Sequence, residues 1–171
     1  MKLRHLFFAC SGVFVMMFSL LLLVVIVFSD EEDGGSGGNL IYGGVSVSQE
    51  VLAHKPMLEK YAKEYGIEEY LNVLLAIIQV ESGGTLEDVM QSSESLGLPP
   101  NSLSTEESIK QGCKYFSELL AVAETNGCDL NSVIQSYNYG GGFLDYVAGR
   151  GKKYTFELAE SFARDKSGGK K

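Results

Sequence analysis

The sequence predicts a mostly α-helical fold, one compact helical domain behind an N-terminal transmembrane helix. Three observations carry this expectation. Residues 6–28 form an uncharged apolar run, the later sequence places apolar residues at three- and four-residue spacing, and no alternating strand pattern of any length occurs. At 171 residues the chain has room for one domain plus some non-globular sequence.

The apolar run comes first. Its 23 residues suffice to cross a hydrocarbon core of about 30 Å as a helix. It exceeds the core of a signal peptide, which has roughly 7 to 15 residues, and no convincing small-x-small cleavage site follows. Lys2 and Arg4 precede it, and Asp30, Glu31, Glu32 and Asp33 follow it. The positive-inside rule then leaves the N-terminus in the cytoplasm and the rest outside. The expected organisation is a cytoplasmic tip and transmembrane signal-anchor (1–29), a flexible acidic, glycine-rich linker (30–44), a folded domain (45–165) and a disordered polar tail (166–171). A cleaved segment would instead release the domain as a secreted protein.

Within the domain, Ser48 is placed to cap a helical stretch reaching Tyr65, with Gly66 as its stop and Pro56 as a break or kink. Residues 69–80 read as a buried helix with Leu71, Leu74, Leu75 and Ile78 on one face. Ser104-Thr105-Glu106-Glu107 is a capping box opening a helix with Ile109, Cys113, Phe116, Leu119, Leu120 and Ala123 on one side, ended by Asn126-Gly127. Asp129 caps a short helix through Val133 and Ile134, and Thr155 caps a last one with Phe156, Leu158, Ala159 and Phe162. Two polar and aromatic stretches, 87–95 and 135–142, read as irregular segments on this scaffold, where binding groups concentrate.

Charge and composition exclude several functions. Without Lys2 and Arg4, 12 basic residues face 22 acidic ones, a net charge of −10 outside the membrane. That argues against nucleic acid or an anionic membrane surface as a partner, since counterion release needs a basic surface. The only histidines are His5 and His54, so metal-ligand spacing is missing and no cofactor is expected. Cys113 and Cys128 share the extracellular part, where a disulfide and two buried thiols are equally compatible with the sequence.

Glu81 is the candidate catalytic residue. Continuing the apolar row of residues 71, 74, 75 and 78 by one step lands on it, immediately before Ser82-Gly83-Gly84. Burial and the negative end of a helix dipole both disfavour the carboxylate anion there and push its pKa upward. A carboxyl held protonated near neutral pH can act as a general acid. Later, Tyr137-Asn138-Tyr139-Gly140 supplies flat rings and an amide suited to carbohydrate.

Glu81-Ser82 at a helix end, Met90-Gln91-Ser92-Ser93-Glu94-Ser95 shortly after, and Ser136-Tyr137-Asn138-Tyr139-Gly140 some 45 residues later form one ordered set. It resembles that of bacterial lysozyme-like cell-wall hydrolases, related to goose-type lysozyme and soluble lytic transglycosylases. Within these it is most similar to the lysozyme-like domain of hydrolases from Gram-positive conjugative elements. The resemblance covers nearly all of residues 45–163. It implies a lysozyme-like helical fold that cleaves the β-1,4 bond between N-acetylmuramic acid and N-acetylglucosamine. It assigns Glu81 as the catalytic acid, Ser82 as a sugar contact, Met90 and Gln91, with Ser92 beside them, as cleft lining, and Tyr137, Asn138 and Tyr139 as the glycan grip. Two departures stand out: Asp88-Val89 occupies the place where general lytic transglycosylases carry a glycine two residues before the Met-Gln pair, and the NlpC/P60 peptidase that often follows is not in this sequence. A stand-alone anchored form or a truncated one is therefore expected.

The resemblance leaves the mechanism divided. Hydrolysis with inversion needs a base roughly 6.5 to 9.5 Å from the acid. Glu87, Asp88 and Glu94 are near in sequence, and Asp88 and Glu94 are preferred because they flank the Met-Gln pair. A lytic transglycosylase needs no such base, because the muramyl 6-hydroxyl attacks internally. The expected partners are peptidoglycan glycan strands and a conjugation or secretion apparatus. The rival expectation is a non-catalytic module that tethers a surface complex to the wall.

Overall fold

A computed structural model describes residues 40–42 and 45–168 of the chain. The expected transmembrane helix at 6–28 lies outside the described residues, and among those described no helix is long and apolar enough to cross a membrane. The described part is mostly helical.

A short antiparallel hairpin comes first, β1 (Leu40–Tyr42) and β2 (Val45–Val47), with Leu40 opposite Val47 and Tyr42 opposite Val45. Both strands were absent from the sequence reading, and β1 falls inside the stretch expected to be linker. Three residues per strand are too few for an alternation to register. The hairpin is fixed to the domain by Val47, which is fully buried.

Ser48 then caps α1 (Gln49–Ala53), its hydroxyl accepting from the Val51 N–H. The chain breaks at His54 and resumes as α2 (Lys55–Glu64), with Pro56 in the first turn, where a missing N–H costs nothing. A 3-10 turn (Glu68–Tyr70) leads into α3 (Leu71–Glu81). Five consecutive residues of α3, Leu74 to Ile78, are buried, so this helix is surrounded by protein instead of presenting one apolar stripe.

A second 3-10 turn (Ser92–Leu96) precedes α4 (Thr105–Asn126), whose first turn is closed by the Glu107 carboxylate accepting from the Ser104 N–H and hydroxyl. At 22 residues α4 is the longest helix among the described residues, about 33 Å at 1.5 Å per residue. It packs against α2, the second 3-10 turn and the helices that follow. Fully buried Phe116 lies in the main core with Leu58, Leu74, Leu75, Ile78 and Ile109. Burying a side chain of this size stabilises by about 1.5–3 kcal/mol.

Asp129 caps α5 (Leu130–Tyr139), which is followed by α6 (Gly142–Ala148) and by α7 (Phe156–Lys166), capped by Thr155. Phe143, Val147, Ala159 and Phe162 form a second small core that holds α7 against α6. The stretch 135–142 is therefore not irregular: α5 runs to Tyr139, and Gly140 at φ 83° ends it. Its inward residues Ser132, Gln135 and Ser136 are polar yet buried, which hid the helix period. Cys113 and Cys128 are free thiols, the first in the main core and the second donating to the Leu144 carbonyl. Burial pushes the Cys113 thiol up to about 12.

Candidate active site

Glu81 is the last residue of α3, where the apolar row predicts it. It is half-buried, and its carboxyl pKa is raised to about 7, chiefly by desolvation and then by the negative charges of Glu94 and Asp88. At that value the proton is held close to neutral pH, the state a general acid requires.

The turn after Glu81 is locked in place. Ser82 donates to the Val89 carbonyl at 2.7 Å and accepts from the Gly84 N–H at 3.1 Å. Gly84 has φ +78°, and a Cβ there would stand 2.7 Å from the Val51 amide nitrogen and 2.8 Å from the Glu50 carbonyl carbon. Only glycine lets this turn lie directly on α1. His54 Nε2 donates to the Gly84 carbonyl at 2.9 Å, and the Ser48 N–H donates to Gln79 Oε1 at 2.7 Å. His54 is thus a structural brace for the acid-bearing turn.

The segment carrying the Met-Gln pair is tied on three sides. Ser82 holds Val89 from α3, the Ser108 hydroxyl accepts from the Met90 N–H at 3.0 Å from α4, and Tyr137 from α5 donates to the Met90 carbonyl at 3.1 Å. Met90 itself is fully buried beneath Gly112 and the Tyr137 hydroxyl. Its side chain belongs to the main core and not to the surface. Gln91 adopts the left-handed conformation at φ 48°, with its amide nitrogen folded back onto the Asp88 carbonyl and Asn101 Oδ1, each at 2.8 Å. The Ser92 hydroxyl is buried and donates to the Ser108 carbonyl at 2.9 Å, so its hydrogen bond goes inward.

The two favoured base candidates part company here. Asp88 is fully buried and accepts from the Ser92 N–H at 3.0 Å, the Ser93 N–H at 3.2 Å, the Ser108 hydroxyl at 2.6 Å and the Ser93 hydroxyl. Four donors occupy its lone pairs, so it staples the loop and has no oxygen left for water. Glu94 sits on the 3-10 turn that Asp88 anchors and is exposed, and its carboxylate has no hydrogen-bond or ion-pair partner among the described residues. Glu87 is exposed as well.

On α5 the expected glycan grip divides. Tyr137 faces the site: its ring packs on Tyr115 at 5.5 Å, and the Glu81 and Asp88 charges, after burial, raise its pKa well above the ordinary phenol value. Asn138 is half-buried, with an amide unpartnered among the described residues. Tyr139 instead packs on Phe143 and Phe162 in the second core. Residues two apart on a helix point about 200° apart, so Tyr137 and Tyr139 cannot both face the cleft.

The sequence reading assigns no part to Ser108, Gly112 and Asn101, which the structure brings to this site. Ser108 and Gly112 are small residues four apart on the buried face of α4, beside Ile109 and Cys113. That interruption of an apolar stripe was the available signal. A groove of about 520 Å³ bounded by Tyr65, Tyr70, Leu120 and Val133 lies at the other end of α3 and contains none of the candidate residues. Among the described residues no cluster of His, Cys, Asp and Glu could hold a metal ion.

Comparison with known proteins gives the family of the chain. The chain is 44% identical over 124 residues to the bifunctional muramidase/DL-endopeptidase CwlT of Bacillus subtilis, covering 72% of this chain and 37% of that protein. It is 39% identical over 117 residues to a pneumococcal vaccine antigen A homolog of Streptococcus pyogenes, covering 68% of this chain and 59% of the relative. A crystal structure of a protein similar to lipoprotein, NLP/P60 family, from Staphylococcus aureus superposes with a TM-score of 0.73 at 76% identity, over 74% of this chain and 43% of that one. The chain thus spans between about a third and three fifths of the length of these proteins. The lysozyme-like family profile matches residues 48–171, and the chain belongs to the lysozyme-like family.

Proposed function

We propose that the chain is a peptidoglycan glycan-strand hydrolase, an N-acetylmuramidase that cleaves the β-1,4 bond between N-acetylmuramic acid and N-acetylglucosamine. The observation that carries this reading is Glu81, a carboxyl with its pKa raised to about 7 at the end of a buried helix. Family membership and the muramidase named among the relatives support it. In this reading Glu81 protonates the glycosidic oxygen as the bond breaks. Tyr137 holds the Met-Gln segment through the Met90 carbonyl, while the Asn138 amide and Gln91 Oε1 take hydrogen bonds from the sugar. Residues 6–28 anchor the domain to the membrane on the wall side, where it opens the wall locally for a conjugation or secretion apparatus.

The choice between hydrolysis and transglycosylation rests on the second carboxylate. Asp88 is committed to four donors, whereas Glu94 is exposed, unpartnered and electrostatically coupled to Glu81. Glu94 is therefore the group that activates water, and the product is a reducing muramic acid end. Mass analysis of fragments released from purified peptidoglycan by the full chain tests this. Reducing ends that disappear in Glu94→Gln support it, and 1,6-anhydro-muramic ends would overturn it in favour of a lytic transglycosylase.

A further inference from the structure

Beyond Glu94 the chain forms an apolar ledge. Leu96 is 50% exposed and Leu98 41% exposed, and Gly97, Pro99 and Pro100 beside them are exposed too. A single exposed leucine needs no explanation, but these sit on a segment that is held still. The Gly97 N–H donates to the Glu94 carbonyl at 3.0 Å and the Leu98 N–H to the Ser93 carbonyl at 3.1 Å. The Ser102 N–H donates to the Ser93 hydroxyl at 3.0 Å, and Gln111 on α4 donates to the Ser95 hydroxyl at 2.9 Å. Ser93 is in turn bound to Asp88. The ledge therefore shares its support with the turn that carries Glu94.

Its chemistry is selective. The N–H groups of Gly97 and Leu98 are bonded inward, and Pro99 and Pro100 have none. A hydroxyl-rich sugar would find few donors here, whereas alkyl groups laid on Leu96 and Leu98 would leave water. Being fixed beforehand, the ledge loses little conformational entropy when covered.

We propose that residues 96–100 bind the peptide stem of the substrate strand, receiving its alanyl methyl groups on Leu96 and Leu98. The inference rests on the muramidase reading, because a strand laid across Glu81 and Glu94 carries a stem on each muramic sugar. Continuity of the ledge with the Glu94 turn is what selects this occupant over a second protein.

The test measures binding of the full chain, carrying Glu81→Gln so that turnover plays no part, to stem-bearing glycan strands and to strands stripped by an amidase. Leu96→Ser/Leu98→Ser is expected to reduce the preference for stem-bearing strands by about tenfold. Circular dichroism confirms that the fold is retained. An unchanged preference, or equal loss on both strand types, overturns the proposal; in the first case the ledge contacts a second copy or another protein, and a shift in oligomeric state would identify the copy. A ledge-dependent stem preference in a wild-type chain that never cleaves would sink the muramidase reading and leave the ledge standing.

Discussion

The Tyr137 hydroxyl donates to the Met90 carbonyl at 3.1 Å, joining residues 47 apart in sequence and fastening α5 to the loop that leads to Glu94. Because Met90 is fully buried, its carbonyl has no water to turn to if that donor is lost. Tyr137→Phe is expected to cost about 1–3 kcal/mol of stability. It should also lower wall-lytic activity while the helical content persists. Thermal melts and release of soluble fragments from peptidoglycan check the two effects together.

Gly112 makes that contact possible. A Cβ at this position would stand 2.5 Å from Met90 Sδ and 2.8 Å from the Tyr137 hydroxyl. Gly112→Ala gains helix propensity but overpacks the site, with an expected net loss of about 1–3 kcal/mol. A denaturant midpoint at or above that of the parent chain would contradict the packing described.

Asp88 and Glu94 are expected to separate by phenotype. Asp88→Asn leaves at least one of four buried donors poorly matched, so the melting temperature and the activity should fall together. Glu94→Gln removes an exposed, unpartnered charge, so activity should fall with stability changed by less than about 0.5 kcal/mol. Parallel melts and activity assays on both variants decide the matter; a stable, inactive Asp88→Asn chain would reassign the base to Asp88.

The raised Glu81 pKa sets two pH dependences. Protonation is favoured in the folded state relative to the unfolded one, so the stabilisation is complete below the ordinary value of 4.5 and is lost as pH rises through about 7. Glu81→Gln should remove this decline and be the more stable chain at pH 8. Activity of the parent chain should fall on an alkaline limb centred near pH 7, as the general acid loses its proton. Denaturation and rate measurements across pH 5–9 read both.

What was legible in the sequence was the helical scaffold and the place of Glu81 at the end of α3. The row through Leu74, Leu75 and Ile78 placed Glu81 correctly because apolar burial leaves a periodic record. The caps at Ser48, Asp129 and Thr155 were legible for a similar reason, since each is a side chain answering an orphan N–H. The extent of α5 was not, because Ser132, Gln135 and Ser136 are buried polar residues and Ser136 satisfies itself on the Ser132 carbonyl at 2.7 Å. Asp88 looked like a candidate base from its position beside the Met-Gln pair. Only the three-dimensional meeting of Ser92, Ser93 and Ser108 around it shows a carboxylate used to hold a loop. The packing of Tyr139 in the second core follows once Tyr137 and Tyr139 share a helix, because one of them must turn away.

In the proposed reaction Glu81 supplies the proton that breaks the glycan strand. Release of soluble fragments from purified peptidoglycan by the full chain, measured beside its Glu81→Gln variant with retention of fold verified by circular dichroism, tests this. Release by the parent chain is expected, with a loss of at least about a hundredfold in the variant, the scale of general acid catalysis. Release undiminished by Glu81→Gln, or no release by the parent chain despite strand binding, would contradict it.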